Sequence, residues 1–542
     1  MDEKKIAVTV YKNDENLFKD ALDSIKKLKI PQGFTLDILP VEGEEKYTAY
    51  NSAMKNSDAK YKIYVDERVA IRQENLLTEI IKTFKSDKDI GILGCSGAIQ
   101  LSTHGICLNS AKRCGKLQMG NTKENIKDWG GIDKDFTEVE AVDGWFIATQ
   151  YDIPFREEFG TFSDSAQCLE FRRKNYKVVV VKQKKPWIWY KSNVWNVREE
   201  DLKKFLEEYS KDIFPLVSII MPTYNRPQWF KEALESALAQ TYRNFEIFIT
   251  DNSKNEDTKK LMQTYLEKYP FIKYEYHPEF NASDNWNYAR KYNNPDAEFV
   301  NWLLDDDRFY PQKLEIMVEI FRNNTDLSLV TSVRDVIDEN GKVTGRMLMP
   351  RPEVLNKDVK LKGESAGKLI FNLGKNFIGE PTTALIKKKC LRNNDLCWTE
   401  EETGFFPLID ISTWLQLLTQ GNLFYIANNP LSMFRMHKGQ ATNWAGSGAA
   451  FEICWAKLIK TSWDLKAFHK TEKEIRMQIL NWIYSASLRL VQAENTDFHD
   501  DNTRTLEKYI TAMSQSLYNN LEINLPERKF GVFSKDGNNV FG

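Results

Sequence analysis

Apolar and polar positions follow two rhythms along this chain. Short apolar runs at 6–11, 34–39, 61–65 and 177–182 have strand character, whereas Leu17, Ala21, Ile25 and Leu28 fall three and four apart, a helical spacing. Alternation of the two predicts βαβ units around a parallel sheet. The run 139–149, which contains Asp143 and Gly144, reads as one strand. At Phe214-Pro215 the pattern restarts with a strand over 217–221 and a loop over 222–226. A helix follows, opened by Pro227, whose missing N–H does no harm in a first turn. Its apolar stripe is Phe230, Ala233, Leu234, Ala237 and Leu238. A strand at 245–250 ends at Asp251, a helix is predicted over 285–292, and further strands over 298–304, 328–331, 382–386 and 423–426. The starts 6–14 and 217–226 are alike, as expected of a diverged internal duplication.

The fold class is therefore α/β, with mostly parallel central sheets in two domains and a helical C-terminal region. Residues 1–194 form the first domain, 195–213 a charged linker helix, 214–445 the second domain and 446–542 the helical region, where 451–465, 472–493 and 503–518 carry helical periodicity. The last stretch, 530–542, is rich in Gly and Asn and reads as loose. Trp455, Trp463 and Trp482 lie among lysines in these helices. They predict a bundle packed on the second domain or a contact between two copies of the chain; a dock for a membrane surface or lipid-linked acceptor is the sharper reading, but no strongly basic face supports it.

A chain of 542 residues exceeds one core. Its net charge of −2 gives no sign of a nucleic-acid partner. No apolar run is long enough to span a bilayer, and the N-terminus lacks the apolar core of a signal peptide. Seven scattered cysteines, an odd number without metal-like spacing, fit free thiols in a reducing cytoplasm. The expected location is cytoplasmic, with peripheral attachment to the inner face of the membrane as a variant.

The chemistry concentrates at Phe299-Val-Asn-Trp-Leu-Leu-Asp-Asp-Asp-Arg308. A buried strand there ends in three consecutive carboxylates, and open α/β sheets bind ligands at the carboxyl ends of their strands. Asp305, Asp306 and Asp307 repel one another unless a positive partner is present, and a hard divalent cation carrying a phosphorylated ligand suits them. Two other strand ends are polar: Pro222, Thr223, Tyr224, Asn225 and Arg226 after one, Asp251 after the next. Tyr224 has the ring to stack on a base, and Asp251 the oxygens to accept from a base N–H.

These stretches resemble the family 2 glycosyltransferases of the GT-A fold. Val217-Ser-Ile-Ile-Met-Pro-Thr-Tyr-Asn-Arg226 is similar to that family's opening motif, Ile249-Thr-Asp-Asn-Ser253 to its base-binding segment and Leu303-Leu-Asp-Asp-Asp307 to its D-X-D motif. Similarity continues through Ile378-Gly-Glu-Pro381, Ile409-Asp-Ile-Ser-Thr-Trp414 and Pro430-Leu-Ser-Met-Phe-Arg-Met-His-Lys-Gly-Gln440. The resemblance implies inverting transfer of a sugar from a nucleotide diphosphate donor, by default UDP-linked, to a glycan or protein acceptor. It places Asp410 as the catalytic base, with Glu401 and Glu402 as rivals and an N-cap of a helix over 411–418 as the bland role. Asp307 and His437 become the ligands of a divalent cation, Mn²⁺ or Mg²⁺. Asp305, Asp306, Glu380 and Arg435 would line the donor site, and Asn281 and Asn285, more weakly, its polar flank.

The first domain also resembles a GT-A glycosyltransferase domain, through Ala141-Val-Asp-Gly-Trp-Phe-Ile-Ala-Thr-Gln-Tyr-Asp152 and Phe162-Ser-Asp-Ser-Ala-Gln-Cys-Leu-Glu-Phe171. There Arg68 stands where a metal-binding carboxylate is expected, and Tyr190 where a histidine is. A guanidinium repels a cation, so this domain is expected to lack a metal site while keeping Asp143 and Asp164. The competing readings of the chain are a two-site transferase, a nucleotide-sugar-binding scaffold without turnover, and a nucleotidyltransferase, which would release pyrophosphate.

Overall fold

The computed structural model describes residues 1–43, 45–120, 122, 125–132, 134–192, 197–346, 352–391, 408–438, 447–468, 471–494 and 501–526. The rival bases Glu401 and Glu402, Gln440 and the stretch 530–542 lie outside the described residues. The chain divides into two compact units, Met1–Phe214 and Pro215–Gly542.

In the second unit an eight-stranded sheet runs in the order Ile272–Tyr276, Phe245–Asp251, Leu216–Thr223, Ala297–Trp302, Leu385–Lys387, Leu327–Ser332, Asn422–Ile426, Val359–Leu361. The first four strands are parallel; Leu385–Lys387 runs against both neighbours. A smaller sheet joins Arg308–Phe309, Ser432–Arg435, Arg334–Ile337 and Val343–Arg346. Strand Ala297–Trp302 is central, and its apolar residues Phe299, Val300 and Trp302 are buried, as expected for a strand covered on both faces.

The first unit repeats this plan. Its main sheet runs Thr35–Glu42, Asp2–Lys12, Ala59–Val65, Phe146–Thr149, Ile90–Gly94, Lys177–Val181, Phe136–Glu138, and Phe146–Thr149 runs against both its neighbours as Leu385–Lys387 does in the second unit. Its small sheet sets Ile188–Tyr190 between Val69–Ile71 and Lys112–Met119, as Ser432–Arg435 lies between Arg308–Phe309 and Arg334–Ile337. The two units thus share a topology, as the matching starts lead one to expect.

Several elements differ from the sequence reading. The run 139–149 is two strands, Ala141–Val142 in the small sheet and Phe146–Thr149 in the large one, with Asp143, Gly144 and Trp145 bridging them. Pro222 and Thr223 belong to strand Leu216–Thr223, with Pro222 in register with Thr250, so the loop is shorter than expected. The helix over 285–292 is Ala282–Arg290. The charged helix read as a linker is Glu199–Ile213, and it packs within the first unit. Its residues Phe205, Tyr209 and Ile213, four apart, are buried. Phe205 stacks on Phe162 at 5.1 Å, and Arg173 pairs with Asp212 at 2.7 Å. A polar composition hid one apolar stripe of i, i+4, i+8 spacing.

The C-terminal helices Ser447–Asp464, Glu472–Glu494 and Asp501–Ser516 share one core with the second unit's sheet: Ile453, Ile475, Trp482 and Leu506 cluster with Leu415, Ile386 and Val300. Trp482 donates its indole N–H to the Glu452 carbonyl at 2.8 Å. Among the described residues no helix is long and apolar enough to cross a membrane.

Candidate functional site

The end of strand Ala297–Trp302 fixes the aspartate triplet. Asn301, buried inside that strand, donates to the carbonyls of Trp302 at 2.8 Å and Thr382 at 3.4 Å, tying the turn Pro381–Thr383 to the strand end. Asp305 accepts from the Thr223 hydroxyl at 3.0 Å and the Tyr224 N–H at 3.1 Å. Arg226 reaches Asp305 at 3.4 Å and Asp306 at 3.1 Å. His437 meets the same Asp306 oxygen at 3.0 Å, and its ring lies 4.7 Å from that of Trp229. Tyr224, Arg226, Trp229 and His437 line a cleft of about 370 Å³.

Asp307 faces the other way. It accepts from the Thr382 hydroxyl at 2.6 Å and the Arg435 N–H at 3.1 Å and is 1% exposed. The expected metal pair of Asp307 and His437 have different partners: His437 pairs with Asp306, whereas Asp307 is bonded to Thr382 and the Arg435 N–H. Burial first, and the neighbouring Asp306 second, push the carboxyls of both Asp305 and Asp307 upward, Asp305 to about 6.

Arg435, expected on the donor, is fully buried. Its guanidinium donates to the Asp306 carbonyl at 2.7 Å, to the carbonyls of Asp338 and Glu339 at 3.0 and 3.1 Å, and to Glu232. It braces the triplet from behind.

A second group of residues holds Asp410. This carboxylate sits in the first turn of helix Ile409–Gln420, whose N-cap is Leu408; it is thus not the cap of a helix beginning at 411. It accepts from the Ile411 N–H at 2.7 Å and the Asn376 amide at 2.6 Å. Asn376 also donates to the Gly379 carbonyl at 2.9 Å and accepts from the N–H groups of Ile378 and Gly379. Gly379 has φ +110°, and a Cβ there would lie 2.7 Å from the Thr383 hydroxyl, so the turn needs glycine. Next to it Glu380 pairs with Arg334, with one contact of 2.7 Å. Burial pushes Asp410 up to about 6, with a further push from Glu380.

The segment expected to meet a base is one strand over. Asp251 is buried and accepts from the Tyr274 hydroxyl at 2.7 Å and the Ser253 N–H at 2.8 Å. Asn225, at φ +51°, donates its N–H to Ser253 and accepts from the Lys254 N–H at 2.9 Å, joining the two loops. Asn281 and Asn285 stand apart from the triplet. Asn281 caps helix Ala282–Arg290 in a capping box with Asp284, and Asn285 donates to the Thr250 carbonyl at 3.3 Å.

The sequence reading missed Asn376, Thr382, Arg334 and Trp229. Asn376 and Thr382 flank the motif that was read, as polar residues beside Ile378-Gly-Glu-Pro381. Arg334 and Trp229 lie in ordinary-looking apolar stretches and give no signal before the fold is known.

A divalent cation finds suitable chemistry here: clustered carboxylates, two of them pushed up by burial and then by Asp306, and an imidazole. Among the described residues, however, no group of three or more His, Cys, Asp or Glu side chains is arranged to hold a metal ion.

Residues 218–393 match the profile of Glycosyl transferase family 2, and residues 7–209 that of a Glycosyltransferase like family. The chain is 34% identical over 227 residues to an uncharacterized glycosyltransferase of Methanocaldococcus jannaschii, covering 41% of this chain and 71% of that protein. It is 29% identical over 253 residues to an uncharacterized glycosyltransferase of Rickettsia typhi, covering 45% and 72%, and 40% identical over 130 residues to one of Rickettsia conorii, of which it spans only 20%. Among solved structures, S. aureus TarS 1-349 in complex with UDP-GlcNAc is 16% identical, covering 57% of this chain and 92% of that one, with a TM-score of 0.34.

Proposed function

The chain belongs to glycosyl transferase family 2, and we propose that its second unit moves a sugar from a nucleotide diphosphate donor to an acceptor hydroxyl with inversion at the anomeric carbon. The observation that carries this reading is Asp410: a carboxylate raised to about 6, held by Asn376 and joined through the turn at Gly379–Thr382 to the aspartate triplet.

Inversion needs a base on the acceptor side. Asp410 takes the acceptor hydroxyl proton as that oxygen bonds to the anomeric carbon and the bond to the diphosphate breaks. A base near neutrality suits this step, since it is ionised at working pH yet basic enough to accept. Tyr224 offers its ring to the base of the donor, and Asp251 keeps lone pairs for a base N–H beyond its two internal bonds. Arg226 lies in the cleft within reach of the diphosphate. Asp306 and His437, with Asp305 beside them, would hold a divalent cation, Mn²⁺ or Mg²⁺, which when bound neutralises charge on the leaving group. A UDP-linked sugar is the default donor, and a glycan or protein the acceptor.

The test is nucleoside diphosphate release from a panel of UDP-, GDP- and dTDP-sugars, with Mn²⁺ or Mg²⁺ and with chelator. Turnover of one donor that stops with chelator supports the reading. Pyrophosphate in place of nucleoside diphosphate would make the chain a nucleotidyltransferase, and tight donor binding without turnover, in the presence of acceptors, a scaffold.

A further inference from the structure

The first unit has a cavity of about 470 Å³ at its own strand ends, reached by Asp143, Trp145, Asp164, Tyr190, Arg68 and Lys46. Its charges are arranged unlike those of the second unit. After strand Ala59–Val65, where the second unit carries its aspartate triplet, Arg68 grips Asp66 with two bonds of 2.7 and 2.8 Å. Lys46 lies 3.5 Å from the same carboxylate. Burial works against the Asp66 charge, but Arg68 and Lys46 outweigh it and hold this carboxyl at about 2. Arg68 also sits 5.1 Å from the ring centre of Tyr190. A fixed guanidinium already neutralises the acid, so these residues do not fit a divalent cation.

The opposite wall keeps what the second unit has. Asp164 stands in the first turn of helix Ser163–Arg173 and accepts from the Ser165 N–H at 2.7 Å, as Asp410 does from Ile411 at the same distance. A Cβ on Gly144 would lie 1.8 Å from the Asp164 carboxylate, so the acid is seated against a bare backbone. Asp143 is 6% exposed; one of its oxygens pairs with Arg113 at 2.6 Å, and the other has no hydrogen-bond partner. Trp145 and Tyr190 stack at 4.4 Å with 18° between their planes.

We propose that this cavity is a cation-independent saccharide-binding site, holding a sugar ring against the Trp145–Tyr190 pair with hydroxyls donated to Asp164 and Asp143. The choice of ligand follows from the charges. Arg68 is paired with Asp66, Lys46 acts on both Asp66 and Asp164, and Arg198, which also lines the cavity, pairs with Asp201 at 2.9 Å, which leaves little positive field for a phosphate. The carboxylates of Asp164 and Asp143 accept only, so they select a donor-rich neutral ligand. Trp145, backed by the stacked Tyr190, supplies the apolar face that the C–H side of a sugar covers. Every residue lining the cavity belongs to the first unit.

Saturation-transfer NMR on the full chain in EDTA tests this, with the methyl glycosides of glucose, galactose, mannose, N-acetylglucosamine and N-acetylgalactosamine as separate probes. At least one glycoside is expected to bind the wild type and Asp410→Asn alike. Asp164→Asn, and independently Trp145→Leu, should bind it at least about tenfold more weakly, with near-UV circular dichroism showing that each variant is folded. The proposal is overturned if no glycoside binds in EDTA, if binding survives both first-unit variants, if it is lost in Asp410→Asn, or if UDP displaces the sugar, which would make the cavity a nucleotide site. The assay contains no donor and no cation, so its failure leaves the second unit's proposed reaction standing.

Discussion

Asn376 clamps Asp410: its amide donates to the carboxylate at 2.6 Å and to the Gly379 carbonyl at 2.9 Å, so one side chain sets both the proposed base and the turn that leads to Glu380. Asn376→Ala removes a bond to a charged group and frees the turn. Turnover is expected to fall about tenfold or more, with donor affinity changed less, because the acceptor side is what loosens. Steady-state kinetics separates the two, and a pure affinity loss would place Asn376 on the donor.

Asp410 also fixes a pH dependence. Its folded value is raised to about 6, and the proposed reaction uses the carboxylate. Activity at saturating substrate should be flat above that value and fall tenfold per pH unit below it, as the carboxylate takes up a proton. A profile without an acid limb near 6 would remove Asp410 from the proton transfer.

Arg435 separates bracing from ligand binding. Its guanidinium is buried against Glu232 and three carbonyls. Arg435→Met leaves Glu232 without that partner and the carbonyls without donors, and should lower stability by about 3 kcal/mol or more in urea unfolding. An unchanged unfolding midpoint with weaker donor binding would restore the ligand role read from the sequence.

That contrast shows what was legible before the structure. The succession of strands along the chain and the triplet follow from apolar runs ending in polar residues, whereas the place of Asp410 follows only from the family resemblance. The direction of each side chain follows from neither: Asp306 and Asp307 are adjacent, yet one faces the cleft and the other Thr382, and only the turn geometry decides this. Asn281 was read by its place ahead of the acidic strand, but its oxygen caps its own helix, a local alternative open to any Asn at a helix start. The small sheet of the first unit went largely unread because its strands, such as Val69–Ile71 and Ile188–Tyr190, are too short for a periodic signal.

His437 closes the cleft against Asp306 and Trp229. His437→Ala is expected to raise the donor KM about tenfold and to raise the Mn²⁺ concentration needed for half-maximal rate, with a smaller effect on kcat. Titration of rate against cation at fixed donor checks this; an unchanged cation requirement would leave His437 a packing residue.

The most direct measurement is nucleoside diphosphate release from the donor identified in the panel, comparing wild type with Asp410→Asn at one pH and one Mn²⁺ concentration. Loss of the proposed base should slow acceptor-dependent release of nucleoside diphosphate about a hundred- to ten-thousandfold, while donor binding, followed by calorimetry, stays. Equal rates in the two proteins would contradict the account and move the proton transfer away from Asp410.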